Sequence, residues 1–278
     1  VTEPEEEEPG LPPEVIGAAP GRGRLTDRKV LVVGAGTRPS ADPNAPMGNG
    51  RTIAILAARE GAEVVCVDKD EDAAFHTVEL IREDAGRAYA VRADVRDASQ
   101  CADLVTTATS LLNGLDGLVL NIGIALGAGL AGTTPEQWDE TFAVNTRAHF
   151  LVTRAALPLL APRSSVVYVS SAASLRAGTG APTYDSSKAA LAGLCRHVAR
   201  ELARANRSRA NVLVPGYVDT PMGRDASARN PNRARRLPLG RQATPWEVAY
   251  GVLFLLSHES SYMTGHSLIL DGGTTALG

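Results

Sequence analysis

KVLVVGAG at residues 29–36 and GNGRTIAILAARE at residues 48–60 decide how this chain is read. The first is a β-branched, apolar run that ends in Gly34 and Gly36. The second opens on Gly48, Asn49 and Gly50 and continues with apolar residues at helical spacing. A third stretch, EVVCVD at 63–68, is apolar again. Strands buried on both faces read as continuous apolar runs, and a helix between two of them forces a parallel crossover. Glycines at the strand-to-helix turn let the backbone approach a pyrophosphate seated on the helix N-terminus. Residues 37–47 (TRPSADPNAPM) separate the two glycine pairs and lengthen this turn well beyond the usual form.

The same alternation continues outward. Strand-like runs recur over 88–95, 118–121, 165–170, 210–214 and 267–270. Helix-period segments lie near 71–84, 99–113, 135–160, 184–205 and 245–258. This pattern predicts an α/β fold: one Rossmann-like, doubly wound sheet of about seven parallel strands flanked by helices. It forms a single domain over residues 25–278. Residues 1–24 are rich in Pro, Gly and Glu and read as an acidic tail without a core of its own. Disorder and an arm packed on a neighbouring subunit both suit that composition.

Composition narrows the function. The 278 residues, 44% hydrophobic and 21% charged, fit a soluble globular chain able to bury a sizeable core. Only Lys29, Lys69 and Lys188 are lysines among the 28 basic residues. The tail, with six glutamates and two arginines, carries -4 of the net -3, which leaves the body near +1. That is too neutral for an electrostatic nucleic-acid binder. Cys66, Cys101 and Cys195 are odd in number and lack CxxC spacing, which excludes a disulfide framework and fits a reducing compartment. The five histidines show no metal spacing, so no metal site is expected. No apolar run is long enough to span a membrane, and the acidic N-terminus lacks the apolar core of a secretory signal. A cytoplasmic location is expected.

Asp68 ends the second strand. A carboxylate there would bond both ribose hydroxyls of an adenosine and repel a 2′-phosphate, by roughly 4 kcal/mol at ~4 Å and an effective dielectric of ~20. NAD is therefore expected over NADP. Lys69 next to it could swing toward a phosphate, and Asp68 could equally be a turn or cap residue. Further along, Tyr184 and Lys188 stand four apart at the start of a helix and share one face. An ammonium near a phenol favours the phenolate, so such a tyrosine can act as general acid or base on an alcohol or carbonyl. Ser171 lies thirteen positions before Tyr184, at the end of a strand, and Asn145 lies in the helix before that.

With these residues in this order, the chain resembles the short-chain dehydrogenase/reductase family, in its compact single-domain branch. The likeness runs from Gly34 to Gly273. It implies that Gly34, Gly36, Gly48, Asn49 and Gly50 form the glycine turn and Asp68 the NAD-selecting acid, with Lys69 beside it. Asp94 and Val95 match the adenine side, Asn121 and Gly123 the stretch after the fourth strand, and Pro215, Gly216, Val218 and Thr220 the segment that cradles the nicotinamide. Tyr184 and Lys188 serve both ends, because Asn145, Ser171, Tyr184 and Lys188 match the catalytic tetrad. The implied reaction is hydride exchange between nicotinamide and a secondary alcohol or ketone. Tyr184 moves the proton, Ser171 polarises the oxygen, Lys188 holds the ribose, and Asn145 positions a relay water. A homotetramer formed through the helices of Asn145 and Tyr184 is implied as well.

The chain departs from the family pattern at three places: residues 37–47, Asn49 between the last two glycines, and Leu120-Asn121-Ile122-Gly123 for Asn-Asn-Ala-Gly. The arginines between 224 and 241 suit either a substrate carboxylate or phosphate, or a solvated loop. A competing function is a catalytically silent NAD sensor of the same fold. The substrate walls are expected from 123–132, 172–183 and 216–241. They are mostly small or apolar and suit a medium-sized secondary alcohol.

Overall fold

The computed structural model describes residues 10–40, 42, 44–229 and 237–277. Its strands are β1 (Lys29–Val33), β2 (Glu63–Asp68), β3 (Arg87–Arg92), β4 (Gly117–Leu120), β5 (Ser165–Val169), β6 (Arg209–Pro215) and β7 (Ser267–Leu270). All pair in parallel, in the order β3-β2-β1-β4-β5-β6-β7. This is the doubly wound sheet that the apolar runs predict. The helices are α1 (Pro13–Ile16), α2 (Asn49–Arg59), α3 (Glu71–Glu83), α4 (Ala98–Leu112), α5 (Pro135–Phe142), α6 (Ala148–Ala156), α7 (Pro182–Asn206), α8 (Pro221–Arg229) and α9 (Pro245–Leu256).

Successive strand residues point to opposite faces, and each face has its own core. Leu31, Val33, Val65 and Val67 pack with α4, α6 and α7 on one side. Val30, Val32, Val64 and Cys66 pack with α2, α3 and α9 on the other. The winding direction reverses between β1 and β4. Ligands of such sheets bind in the crevice beyond the carboxyl ends of the strands at that point. Among the described residues, no helix is long and apolar enough to cross a membrane.

Four local features differ from the sequence reading. β3 stops at Arg92, so Asp94 and Val95 lie in the following turn. The helix expected over 135–160 is broken: α5 ends at Phe142, residues Ala143–Arg147 form a π turn, and α6 resumes at Ala148. One residue slipped into a helical ladder leaves the apolar spacing nearly intact, so periodicity does not reveal it. The helix that carries Tyr184 and Lys188 begins two residues before Tyr184, at Pro182. Helix α8, capped by Thr220, occupies part of what reads as a loop, because its small and charged residues carry little apolar periodicity.

Residues 10–24 lie on their own chain. Thr244 Oγ1 donates to the Val15 carbonyl at 2.6 Å, and Arg59 Nη1 donates to that of Gly17 at 2.8 Å. The backbone N–H groups of Arg22 and Arg24 reach the buried Glu60 carboxylate at 2.9 and 3.0 Å. Gly17 has φ +75°, and a Cβ there would sit 2.1 Å from the Trp246 ring. Residues 1–9 of the acidic tail lie outside the described residues.

Candidate active site

The glycine turn works by close approach. Gly34 has φ +80°, and a Cβ on it would lie 2.8 Å from the Asn121 carbonyl oxygen. A Cβ on Gly50 would lie 1.7 Å from the Gly34 oxygen, so the first turn of α2 rests directly on the end of β1. Asn121 Nδ2 donates to the Gly34 oxygen at 3.1 Å and ties in the end of β4. Thr37 Oγ1 accepts from the Gly48 N–H at 2.9 Å and closes residues 37–47 into a loop. Asn49 carries a buried Oδ1 without a hydrogen-bond partner.

Asp68 is fixed at the edge of this turn. Its Oδ2 accepts from the Gly36 N–H at 2.9 Å and its Oδ1 from the Asp70 N–H at 3.2 Å. The exposed Lys69 instead adds its charge near Asp94. The Asp94 carboxylate accepts from Arg96 Nε at 3.0 Å and Nη2 at 2.5 Å, and these bonds hold it below the usual carboxylate range. Val95 is buried, and its carbonyl accepts from Cys101 Sγ at 3.2 Å.

The four tetrad candidates come from three separate segments, the π turn, the end of β5 and α7, and hydrogen bonds link their surroundings. Lys188 is buried, and its Nζ donates to the carbonyls of Ile122 at 3.0 Å and Val169 at 2.9 Å. Burial pushes its ammonium down to about 7, while the two carbonyl acceptors favour the charge. The same Nζ stands 5.9 Å from the centre of the Tyr184 ring. Gly123 makes room for it, since a Cβ there would meet Nζ at 3.0 Å. Ser170 Oγ donates to the Lys188 carbonyl at 2.9 Å, which brings the end of β5 and Ser171 against α7. Ser171 is in extended backbone, and its Oγ accepts from the Ala173 N–H at 3.2 Å.

Asn145 sits fully buried within the π turn. Its Oδ1 accepts from the Ile124 N–H at 2.8 Å. Its Nδ2 donates to the Ile124 carbonyl at 2.8 Å and to Ser187 Oγ at 2.9 Å. Both amide hydrogens are thus committed to holding the loop after β4 against α7. Ser187, which in turn donates to the Tyr184 carbonyl at 2.9 Å, is absent from the sequence reading. Only its place before Lys188 could have signalled it.

On the far side, Gly216 N–H donates to Leu270 at 2.9 Å, and a Cβ there would lie 2.7 Å from Asp271 Cα. The turn after Pro215 is therefore pressed against the end of β7. Val218 pairs with Ala243. The walls expected around the substrate do meet: Gly129 N–H donates to Gly180 at 2.7 Å, and Thr183 Oγ1 to Leu126 at 2.6 Å. Arg176 donates to the Thr274 carbonyl at 3.0 Å, which ties residues 172–183 to the C-terminal segment. Of the arginines between 224 and 241, Arg224 pairs with Asp219 and Asp42 and Arg241 with Glu247. Both are ion-paired within the chain. Residues 230–236 lie outside the described residues.

His149, fully buried one turn beyond Asn145, has neither ring nitrogen in a well-formed hydrogen bond. Burial first, and the Lys188 charge second, push it well below the ordinary histidine range. A histidine that stays neutral in the fold but protonates when unfolded costs stability as pH falls below about 6.5. The unfolding free energy should therefore decline on acidification, with a slope approaching ~1.4 kcal/mol per pH unit from this residue. Thermal melts at descending pH check this, and His149→Leu should flatten the acid limb relative to wild type.

Comparison with known proteins agrees with this geometry. A family model described as Enoyl-(Acyl carrier protein) reductase matches residues 45–275. Cyclopentanol dehydrogenase of Comamonas sp. is 37% identical over 260 residues, which cover 91% of this chain and 99% of that protein. A 3-oxoacyl-[acyl-carrier-protein] reductase of Thermotoga maritima is 33% identical over 257 residues, covering 90% and 98%. A solved short-chain dehydrogenase/reductase of Serratia marcescens superposes with a TM-score of 0.83 at 29% identity, covering 91% and 100%. With its seven-stranded parallel sheet and these relatives, the chain belongs to the short-chain dehydrogenase/reductase family, oxidoreductases that work with a nicotinamide dinucleotide.

Proposed function

We propose that the protein is an NAD-dependent dehydrogenase or ketoreductase acting on a medium-sized secondary alcohol or its ketone. The observation that carries this is the buried Lys188, tied to the ends of β4 and β5 and facing the Tyr184 ring. The residues present fit the dinucleotide. The Gly34–Gly50 contact sets the N-terminus of α2 against the end of β1, a cradle that a Cβ would fill, and the Asp68 carboxylate beside it can accept from ribose hydroxyls. When bound, the nicotinamide exchanges a hydride with the carbinol carbon.

Tyr184 takes the alcohol proton in oxidation and returns it in reduction. Lys188 holds the ribose and keeps positive charge by the phenol, while Ser171 donates to the substrate oxygen. Asn145 fixes Ile124 and Ser187, and with them the spacing of the cluster. The π turn that carries it sets the Asn145 amide between the loop after β4 and α7. Asp68 favours NAD through its charge. The exposed Leu130, Leu175 and Leu239 on the expected walls suit an apolar substrate, and the similarity to a cyclopentanol dehydrogenase points the same way. Arg224 and Arg241, already paired, are not expected to meet a carboxylate or phosphate on the substrate.

We place the protein in the cytoplasm; its three free, buried cysteines suit a reducing compartment. We also infer a homotetramer. The face of α5, α6 and α7 carries an open apolar groove of about 600 Å³ that includes Phe142, Phe150 and Leu194, with Trp138 stacked on Phe142. The test is oxidation of a panel of cyclic and acyclic secondary alcohols with NAD and NADP, with the solution mass read by light scattering. NADH formation on apolar alcohols and a mass of four chains are expected. Tight NAD binding without turnover on any alcohol would favour the sensor reading, and a single-chain mass would overturn the tetramer.

A further inference from the structure

The glycine turn and α8 belong to distant parts of the sheet. β4 and β5 separate β1 from β6, three inter-strand steps or about 14 Å at ~4.8 Å each. Even so, the loop that leaves β1 touches the helix that follows β6. Arg38 pairs with Asp225. Arg224 Nη1 donates to the Asp42 carboxylate and, at 3.0 Å, to the Asn44 carbonyl. Nε and Nη2 of the same guanidinium grip the two oxygens of Asp219 at 2.8 and 3.0 Å.

These contacts fasten Arg38, Asp42 and Asn44 of this loop, as an arch, to α8 and, through Arg224, to the turn before it. The arch springs from the Thr37–Gly48 hydrogen bond at the end of β1 and lands on α8, which follows β6. The crevice where the winding reverses lies beneath it. Arg224 also joins the two ends of the site, because its N–H donates to the Thr220 carbonyl at 2.8 Å and its side chain holds Asp219 next to it. One guanidinium therefore connects the pyrophosphate turn to the segment on the nicotinamide side.

We propose that Arg224 is a positioning residue that, through Asp219 and Asp42, couples the arch to α8, so that both close over the dinucleotide and open together for its release. The proposal rests on the reading of the crevice as a dinucleotide site. A planar guanidinium can hold two carboxylates in fixed geometry at once, whereas an ammonium is a single point charge. The paired side chains are 35–41% exposed, so salt should loosen the coupling.

The test is the rate of NADH release, followed by its fluorescence in stopped flow, for wild type, Asp42→Asn, Arg224→Lys and the double variant. Each single variant should release NADH about tenfold faster, with a matching rise in KM for the dinucleotide, and the double variant no faster than the quicker single one. Raising NaCl from about 0.05 to about 0.5 M should speed release from wild type more than from Asp42→Asn. Single variants that release at the wild-type rate, or effects that multiply independently, would overturn the coupling. If Arg224→Lys does not fold, Asp42→Asn with its salt response decides alone. Wild type that retains no NADH would overturn the dinucleotide reading itself, and the coupling with it.

Discussion

Tyr184→Phe should lower kcat by about 10³-fold, within the range by which a positioned acid or base contributes, while NADH binding stays within about threefold of wild type. The reason is local. The ring stands on the first turn of α7, its N–H bonded to the Ala181 carbonyl at 3.0 Å, with Lys188 Nζ 5.9 Å from the ring centre. Phenylalanine keeps the ring, its packing and its attraction for the ammonium. Only the hydroxyl is lost, and with it the one group proposed to exchange a proton with the substrate oxygen. Single-turnover kinetics together with an NADH titration separate the two effects. A variant that keeps full activity would remove Tyr184 from the chemistry, and one that no longer binds NADH would mean that the hydroxyl supports the cofactor site.

Asp68→Asn should shift the NADP-to-NAD ratio of kcat/KM toward NADP by two to three orders of magnitude, because the roughly 4 kcal/mol of repulsion at ~4 Å disappears. The structure explains why the effect should be this direct. Asp68 does not swing freely: the Gly36 and Asp70 N–H groups hold one oxygen each. The buried Arg51, which donates to Thr77 Oγ1 at 3.0 Å, lends Asp68 a nearby charge from below. Asparagine can still accept from Gly36 through its carbonyl oxygen, so the turn keeps its shape while the charge goes. NAD should lose about tenfold in affinity as charged acceptor bonds to the ribose become neutral ones. Kinetics with both cofactors on wild type and variant give the ratio; a wild type that prefers NADP would overturn the electrostatic account.

The fold was legible because burial on both faces leaves a plain mark. β1 and β2 fall where KVLVV and EVVCVD place them, since a central parallel strand has no polar face to blur the run. Helix continuity was less legible. The chain from Pro135 to Ala156 keeps its apolar spacing through a π turn that only the hydrogen-bond ladder reveals. The tail shows the opposite failure: its composition suggests no fixed place, yet residues 10–24 find one on Glu60, Arg59 and Thr244. These partners stand 36 to 229 positions away, beyond the reach of any local pattern.

By itself the sequence determined the sheet and the strand-to-helix glycine turn, because each rests on short-range spacing, and the family resemblance singled out Asn145, Ser171, Tyr184 and Lys188 as candidates. Lys188, one of three lysines among 28 basic residues, was visible in this way. The tertiary structure decided how those residues are held. Asn145 is spent on Ile124 and Ser187, Lys188 is buried between two strand ends, and Arg224 bridges Asp219 to Asp42. The physical reason is that a hydrogen bond or ion pair depends on distance in space, and a loop leaving β1 meets a helix leaving β6 only after the strands between them have paired.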